Sequence, residues 1–363
     1  MKIAVISGRF GLSGVPLAQQ RLAKAFSKRG HQVDLIYGAI NSDSNLPNSN
    51  DMRIICLNKT RVIGMLAKLT IYMIKEKPNV IFSAGDHLNV VVLVAKILSF
   101  QSIKVSCSSR VTPYDTYKGK IFSKNWILKQ ISKILMNKAD VLSCVSKEMV
   151  GQYQKLFKNS KHMHIYNPIN LDEISVNAKE KNFHPEFCKH PDQKIIVAAG
   201  MLERWKGFHD LIDAFKIASR NSDLKLYILG EGSQRNFLLN QIKKQNLSRK
   251  VFLLGAVTNP IKYFSSCDLF VLSSYVEGMP NVLIEALACG CTVVSYDCET
   301  GPKEVLNKNN GYLCKTGNVI ELAEKIKYGI ENPISKDLAR TSIESFYEEN
   351  VVMKHLKSLN IQI

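Results

Sequence analysis

The feature that most constrains this 363-residue chain is an alternation of short β-branched runs with helical stretches that runs through once, lapses, and starts again. Ile3–Ser7, Val33–Tyr37, Asn79–Ser83, Ile103–Cys107, Asp140–Ser146 and Met163–Tyr166 read as strands, separated by helical stretches such as Leu17–Arg29, Leu88–Leu98 and Lys147–Phe157. Periodicity then lapses to Lys194, a polar stretch that reads as a domain link. The second series runs from Ile195–Gly200 through strands at Leu224–Gly230, Val251–Gly255, Leu269–Ser273 and Thr292–Tyr296, with intervening helices including Phe208–Arg220 and Asn281–Cys289. Strand–helix alternation of this kind specifies parallel sheets covered on both faces. The predicted fold is α/β, two Rossmann-like doubly wound domains facing a cleft, with the carboxyl ends of both strand sets turned to one ligand.

Composition narrows the class. At 45% hydrophobic and 22% charged residues the chain is globular. Its nine cysteines (56, 107, 144, 188, 267, 289, 291, 298, 314) form no CxxC or Cys/His ligand spacing, which points to reduced thiols and a cytoplasmic compartment. The longest apolar run, Val90 to Phe100, is about half of what a membrane span needs and is interrupted by Lys96. Met1 to Ser7 lacks the basic start and cleavage site of a secretory signal.

Charge is unevenly placed. Residues 1–170 hold 25 Lys and Arg against 8 Asp and Glu, a net +17, and the remainder holds 24 against 23. A basic half beside a neutral one predicts an anionic partner for the first domain. Within it, Lys118, Lys120, Lys124, Lys129, Lys133 and Lys138 alternate with Ile121, Phe122, Trp126, Ile127, Ile131, Ile134 and Leu135 at roughly helical spacing. This predicts an amphipathic basic helix whose lysines meet an anionic membrane while Trp126 and Phe122 enter the headgroup boundary. The Lys/Arg-flanked segment Lys59 to Lys77 supports the same reading.

Three loops could carry chemistry. Gly8, Gly11 and Gly14 follow the first strand as GxxGxxG, a phosphate-approach loop one residue off the dinucleotide fingerprint. Gly200 to Gly207 holds the same strand-to-helix position in the second series and adds Arg204 and Lys206, cations suited to neutralising a departing diphosphate. The third, Glu277-Gly278-Met279-Pro280-Asn281-Val282-Leu283-Ile284-Glu285, sets two carboxylates eight apart across a strand-to-helix turn, both expected at the cleft edge. Carboxylates accept paired hydrogen bonds from the vicinal hydroxyls of a sugar. One on a loop and one held by a helix do not make a glycosidase pair, which needs opposed groups about 5 Å apart. There is no DxD or HExxH, and His162 and His164 alternate along a strand, so no metal is expected.

Together these segments resemble the retaining family-4 glycosyltransferases of the GT-B fold over essentially the whole chain. The matching pieces are GMLERWKGFHDLIDAF (200–215), LYILGEGSQR (226–235), VFLLG (251–255), CDLFVLSSYVEGMPNVLIEALACG (267–290) and DCETGPKEVL (297–306), with Glu277 and Glu285 fitting the E-x7-E pattern. The resemblance implies that Glu285 binds the nucleotide ribose and that Glu277 contacts donor-sugar hydroxyls near the reacting carbon. It further implies that Gly278, Met279 and Asn281 line the sugar, that Lys206 binds phosphate, that Gly14 approaches the diphosphate, and that Gly230 and Gly232 touch base or phosphate. It gives domains over 1–170 and 171–340, with a C-terminal helix in 341–363 returning to the first.

Two departures stand out. Met201 occupies a position where the family usually has Arg, which leaves Arg204 as the second cation. The chain reads Cys107-Ser108-Ser109-Arg110 where many members carry a His, so the acceptor-side candidates are His87 and Arg110.

The expected function is sugar transfer with retention from a nucleotide diphosphate, UDP- or GDP-linked, to a lipid-linked or polysaccharide acceptor. It would need no cofactor or metal, and the enzyme would be peripheral on the cytoplasmic face of the membrane. A GT-B epimerase or phosphorylase is the rival within the architecture. A basic nucleic-acid binder is the rival outside it, and no RNP-like or zinc-finger signature supports that.

Overall fold

The computed structural model describes residues 1–11, 14–40, 52–158, 160–187 and 193–361. Cys188 lies outside them, and the other eight cysteines are free thiols. The chain forms two compact units, one of Met1–Pro168 with Phe346–Ile363, the other of Ile169–Ser345.

Among the described residues the first unit is built on seven parallel strands. They are β1 (Lys2–Arg9), β2 (Gln32–Ala39), β3 (Arg53–Cys56), β4 (Val80–Ala84), β5 (Lys104–Ser109), β6 (Val141–Cys144) and β7 (His162–His164), in the order β3-β2-β1-β4-β5-β6-β7. The second unit has β8 (Lys194–Ala199), β9 (Leu224–Leu229), β10 (Val251–Gly255), β11 (Leu269–Leu272), β12 (Thr292–Tyr296) and β13 (Tyr312–Cys314), in the order β10-β9-β8-β11-β12-β13. Every ladder is parallel, and in each sheet the order reverses beside the first strand, the doubly wound topology that opens a ligand crevice at the strands' carboxyl ends.

Burial explains the sequence pattern. Ile3, Ala4, Val5 and Ile6 of β1, and Ile195 to Ala198 of β8, are wholly buried because helices cover both sheet faces, so these strands read as continuous apolar runs. In the second unit Ile196, Ala198, Leu226, Ile228 and Val271 of the sheet pack with Leu211, Phe215, Leu322 and Ile326 of the flanking helices.

Helix Glu348–Ser358 belongs to the first unit. Its Val351, Val352, His355 and Leu356 are buried, and His355 meets Phe82 edge-on at 5.2 Å. Lys28 Nζ pairs with Glu348 at 2.9 Å and Lys104 Nζ donates to the Leu359 carbonyl at 2.7 Å.

Two expectations are corrected. The helix expected from Lys118 spans only Lys124–Leu135, followed by a 3-10 turn over Met136–Lys138. Ser123 caps it by accepting from the Trp126 amide, and Phe122 sits in the left-handed region at φ 64°, so Lys118 and Lys120 lie on the preceding turn. The stretch read as a domain link falls in the second unit, and its described part includes a helix: the Asn170 side chain accepts from the Glu173 amide and starts Leu171–Ala178.

Candidate active site

Lys206 and Glu277 are brought together. Lys206 ends a 3-10 turn over Arg204–Lys206 between β8 and helix Phe208–Ala218, and Glu277 lies between β11 and helix Asn281–Ala288. Lys206 Nζ donates to Glu277 Oε1 at 2.5 Å, with both side chains largely shielded from solvent.

The backbone holds this pair in place. Ser273 Oγ donates to the Lys206 carbonyl at 2.9 Å and the Tyr275 amide to the Trp205 carbonyl at 2.8 Å, clamping the lysine loop to the end of β11. Gly207 makes the clamp possible: its φ is +64°, and a Cβ there would stand 2.0 Å from the Ser273 carbonyl oxygen. Gly230 and Gly232 serve the same end on the other side, because a Cβ at either would strike the Gly200 or Leu202 carbonyl. Glu203 accepts from the Ser233 amide at 3.1 Å and its hydroxyl at 2.7 Å, tying the two loops together and holding its own carboxyl below the usual range.

Beneath the loops sits a cluster that the sequence reading did not find. Buried Asp210 accepts hydrogen bonds from Tyr275 Oη and, at 2.9 Å, from Tyr296 Oη, with His209 Nε2 3.3 Å from its other oxygen. Burial first, and the Asp210 bond second, push the Tyr275 phenol up to about 12. An aspartate two residues into a helix, with tyrosines 65 and 86 residues away, leaves no local spacing to read.

The glutamate loop is backed from behind, since Thr300 Oγ1 donates to the Glu277 carbonyl and Gly301 fits against Pro280 with φ +96°. Met279 is buried, Gly278 and Asn281 are partly exposed, and no side chain caps the helix beginning at Asn281, whose N-terminal dipole favours an anion. Glu285 was expected at the cleft edge with Glu277; it is 3% exposed, below the surface. Arg204 is exposed and has no side-chain partner among the described residues.

The remaining candidates lie in the first unit. Gly14 is exposed and opens helix Gly14–Lys28 at φ +55°, with empty space where a Cβ would point. His87 is exposed in the first turn of helix Asp86–Ser99, beside buried Asp86, whose carboxylate accepts from Ser109 and Tyr153 hydroxyls at 2.6 Å each. Burial raises the Asp86 pKa. Arg110 follows β5 and donates to Gln19 Oε1 at 3.0 Å and to Asn167 Oδ1. Burial lowers its guanidinium pKa to about 10.

Lys118, Lys120, Lys124 and Lys133 are exposed, and Trp126 and Lys129 partly so. On helix Lys124–Leu135 the exposed apolar residues Ile127, Ile131 and, at 72%, Ile134 share one face. Helix Leu66–Glu76, which the sequence reading noted only as a basic-flanked segment, exposes Ile71 and Ile74 beside Lys68 and Lys75. Among the described residues no helix is long and apolar enough to cross a membrane, and no group of three His, Cys, Asp or Glu residues could hold a metal ion.

Two doubly wound parallel sheets, one carrying a Lys–Glu pair on its strand-end loops, place the protein in the GT-B class of glycosyltransferases. Residues 13–173 match the model for "Glycosyltransferase Family 4" and residues 179–345 that for "Glycosyl transferases group 1". An uncharacterised glycosyltransferase of Methanocaldococcus jannaschii is 31% identical over 78% of this chain and 70% of its own length. The N-acetylgalactosamine-N,N'-diacetylbacillosaminyl-diphospho-undecaprenol 4-alpha-N-acetylgalactosaminyltransferase of Campylobacter jejuni is 32% identical over 75% of this chain and 73% of its own. The chain belongs to the family-4, group 1 glycosyltransferases. Among solved structures, the lipopolysaccharide outer core galactosyltransferase WaaB superposes with a TM-score of 0.73 at 17% identity over 99% of both chains, and Anabaena HepE in complex with UDP and glucose with 0.76 at 20% over 99% of both.

Proposed function

We propose that the protein transfers a sugar, with retention at the anomeric carbon, from a nucleoside-diphosphate donor to a lipid-linked or polysaccharide acceptor at the cytoplasmic membrane face. The observation that carries this reading is the 2.5 Å Lys206–Glu277 pair beside an uncapped helix N-terminus. Lys206, with Arg204 and the helix dipole, neutralises the leaving diphosphate, while Glu277 holds donor-sugar hydroxyls. Donor diphosphate arriving at Lys206 releases Glu277 to the sugar, so one ligand completes both halves of the site. Glu285 takes the ribose, and Gly278, Met279 and Asn281 line the sugar. Catalysis then rests on positioning and electrostatics, without a metal or an enzyme nucleophile.

The acceptor reading is supported by relatives whose names specify diphospho-undecaprenol or poly(ribitol-phosphate). The membrane reading is supported by the lysine-flanked isoleucines of helices Lys124–Leu135 and Leu66–Glu76 in a half of net charge +17. A screen of UDP- and GDP-sugars, monitoring release of UDP or GDP with lipid-linked acceptors present, tests the reading. Donor-dependent release that requires acceptor and vanishes in Lys206→Ala is expected. Product formed from donor alone would indicate an epimerase instead.

A further inference from the structure

Arg110 is a cation without a counter-charge. Its guanidinium is partly buried where the chain leaves β5, close to the reversal in strand order, and its two hydrogen bonds go to the neutral amide oxygens of Gln19 and Asn167. Its buried Nε has no partner. A guanidinium offers five N–H donors, and an uncompensated buried charge is among the costlier things a fold can keep. Its neighbours hold it still rather than neutralise it. Gln19 is itself oriented by donating to the Ile6 carbonyl at 3.1 Å, so the carboxamide oxygen is fixed on Arg110. His355, from the C-terminal helix, also lies nearby; its Nδ1 is buried and unpartnered, and burial together with the Arg110 charge keeps the ring neutral. Arg110 and His355 thus leave two buried polar nitrogens unanswered, that of Arg110 where the chain leaves β5.

We propose that Arg110 is the anion-binding centre of the acceptor site and receives a phosphate or diphosphate carried by the acceptor. The proposal rests on the glycosyltransferase reading above, in which the donor's diphosphate is already served by Lys206 and Arg204 in the other unit. A guanidinium held by two amide oxygens keeps donors in one plane for the bidentate contact that phosphate oxygens favour.

The probes are UDP, inorganic pyrophosphate and farnesyl diphosphate, titrated calorimetrically into the full chain. Farnesyl diphosphate is expected to bind wild type and Lys206→Ala alike, to lose at least tenfold in affinity in Arg110→Gln, and to recover part of it in Arg110→Lys. Pyrophosphate is expected to bind Lys206→Ala and to lose that binding when Arg110→Gln is added. UDP is expected to show the reverse dependence, lost in Lys206→Ala and kept in Arg110→Gln. Should Arg110→Gln fail to fold, mapping phenylglyoxal modification on the wild-type chain gives the same answer: pyrophosphate and farnesyl diphosphate protect Arg110, and UDP does not. Farnesyl diphosphate binding that ignores Arg110, protection of Arg110 by UDP, or failure of both non-nucleotide phosphates to bind would overturn the proposal. UDP binding that ignores Lys206 would instead defeat the donor-site reading.

Discussion

Lys206 Nζ and Glu277 Oε1 stand 2.5 Å apart on two loops that are 71 residues apart in sequence. Each is therefore the other's ligand before substrate arrives. Lys206→Ala and Glu277→Ala should each lower kcat/KM by about 100-fold or more without unfolding the protein, as loss of one transition-state charge contact does. Because the two act as a unit, the double variant should lose little beyond the worse single variant. Glu277→Gln should bind UDP at least as tightly as wild type, since it frees the ammonium, while sugar transfer falls; calorimetry and steady-state kinetics read the two effects apart.

Asp210 joins the two loops from below through Tyr275 and Tyr296. Tyr275→Phe and Tyr296→Phe should each cost about 1.5–3 kcal/mol in denaturant unfolding, the value of a hydrogen bond to a charged group. Tyr275→Phe should also raise KM for the donor, because Tyr275 adjoins the clamp at Trp205.

Gly207→Ala tests the clamp sterically. Its Cβ would lie 2.0 Å from the Ser273 carbonyl at a φ of +64°, so the lysine loop must move. Donor binding should drop at least as far as in Lys206→Ala, with a melting temperature several degrees below wild type.

His355 sets an acid limit. Burial first, then Arg110 and Lys354, lower its pKa to about 3, so it is neutral in the fold and takes up a proton in the unfolded chain below about pH 6.5. Its contribution is present above the unfolded value and is lost as pH falls toward the folded one, amounting to about 2 kcal/mol by pH 5. His355→Phe, which keeps a ring against Phe82, should flatten the fall in melting temperature between pH 7 and pH 5.

The apolar face of helix Lys124–Leu135 should direct membrane binding. Wild type is expected to float with phosphatidylglycerol vesicles at low salt and to be released by high salt. Ile131→Glu, on the exposed face and outside both candidate sites, should abolish flotation while leaving UDP binding unchanged.

The strands were legible because sheets covered on both faces leave unbroken runs such as Ile3–Ile6 and Ile195–Ala198. Short edge strands gave no such signal: Arg53–Cys56 and Tyr312–Cys314 have four and three residues and pair on one side only. Lysine spacing alone overextended the basic helix, since periodicity is blind to the Ser123 cap and to the left-handed turn at Phe122. At the site, the residues on strand-end loops were visible from motif spacing. Asp210, Thr300 and Gln19 were not, because each acts through a partner at least 23 residues away, or in Gln19's case through Arg110. Glu285 lies on the helix that the spacing indicated, one turn along Asn281–Ala288 and only 3% exposed, a depth that spacing does not encode.

Because helix Glu348–Ser358 completes the first unit, the order of synthesis and the order of folding differ. The unit of 169–345 is one continuous stretch and can close as soon as it has left the ribosome. The unit begun first must wait for residues translated after the whole of the second unit, with the surface around Phe82 uncovered until His355 and its neighbours arrive.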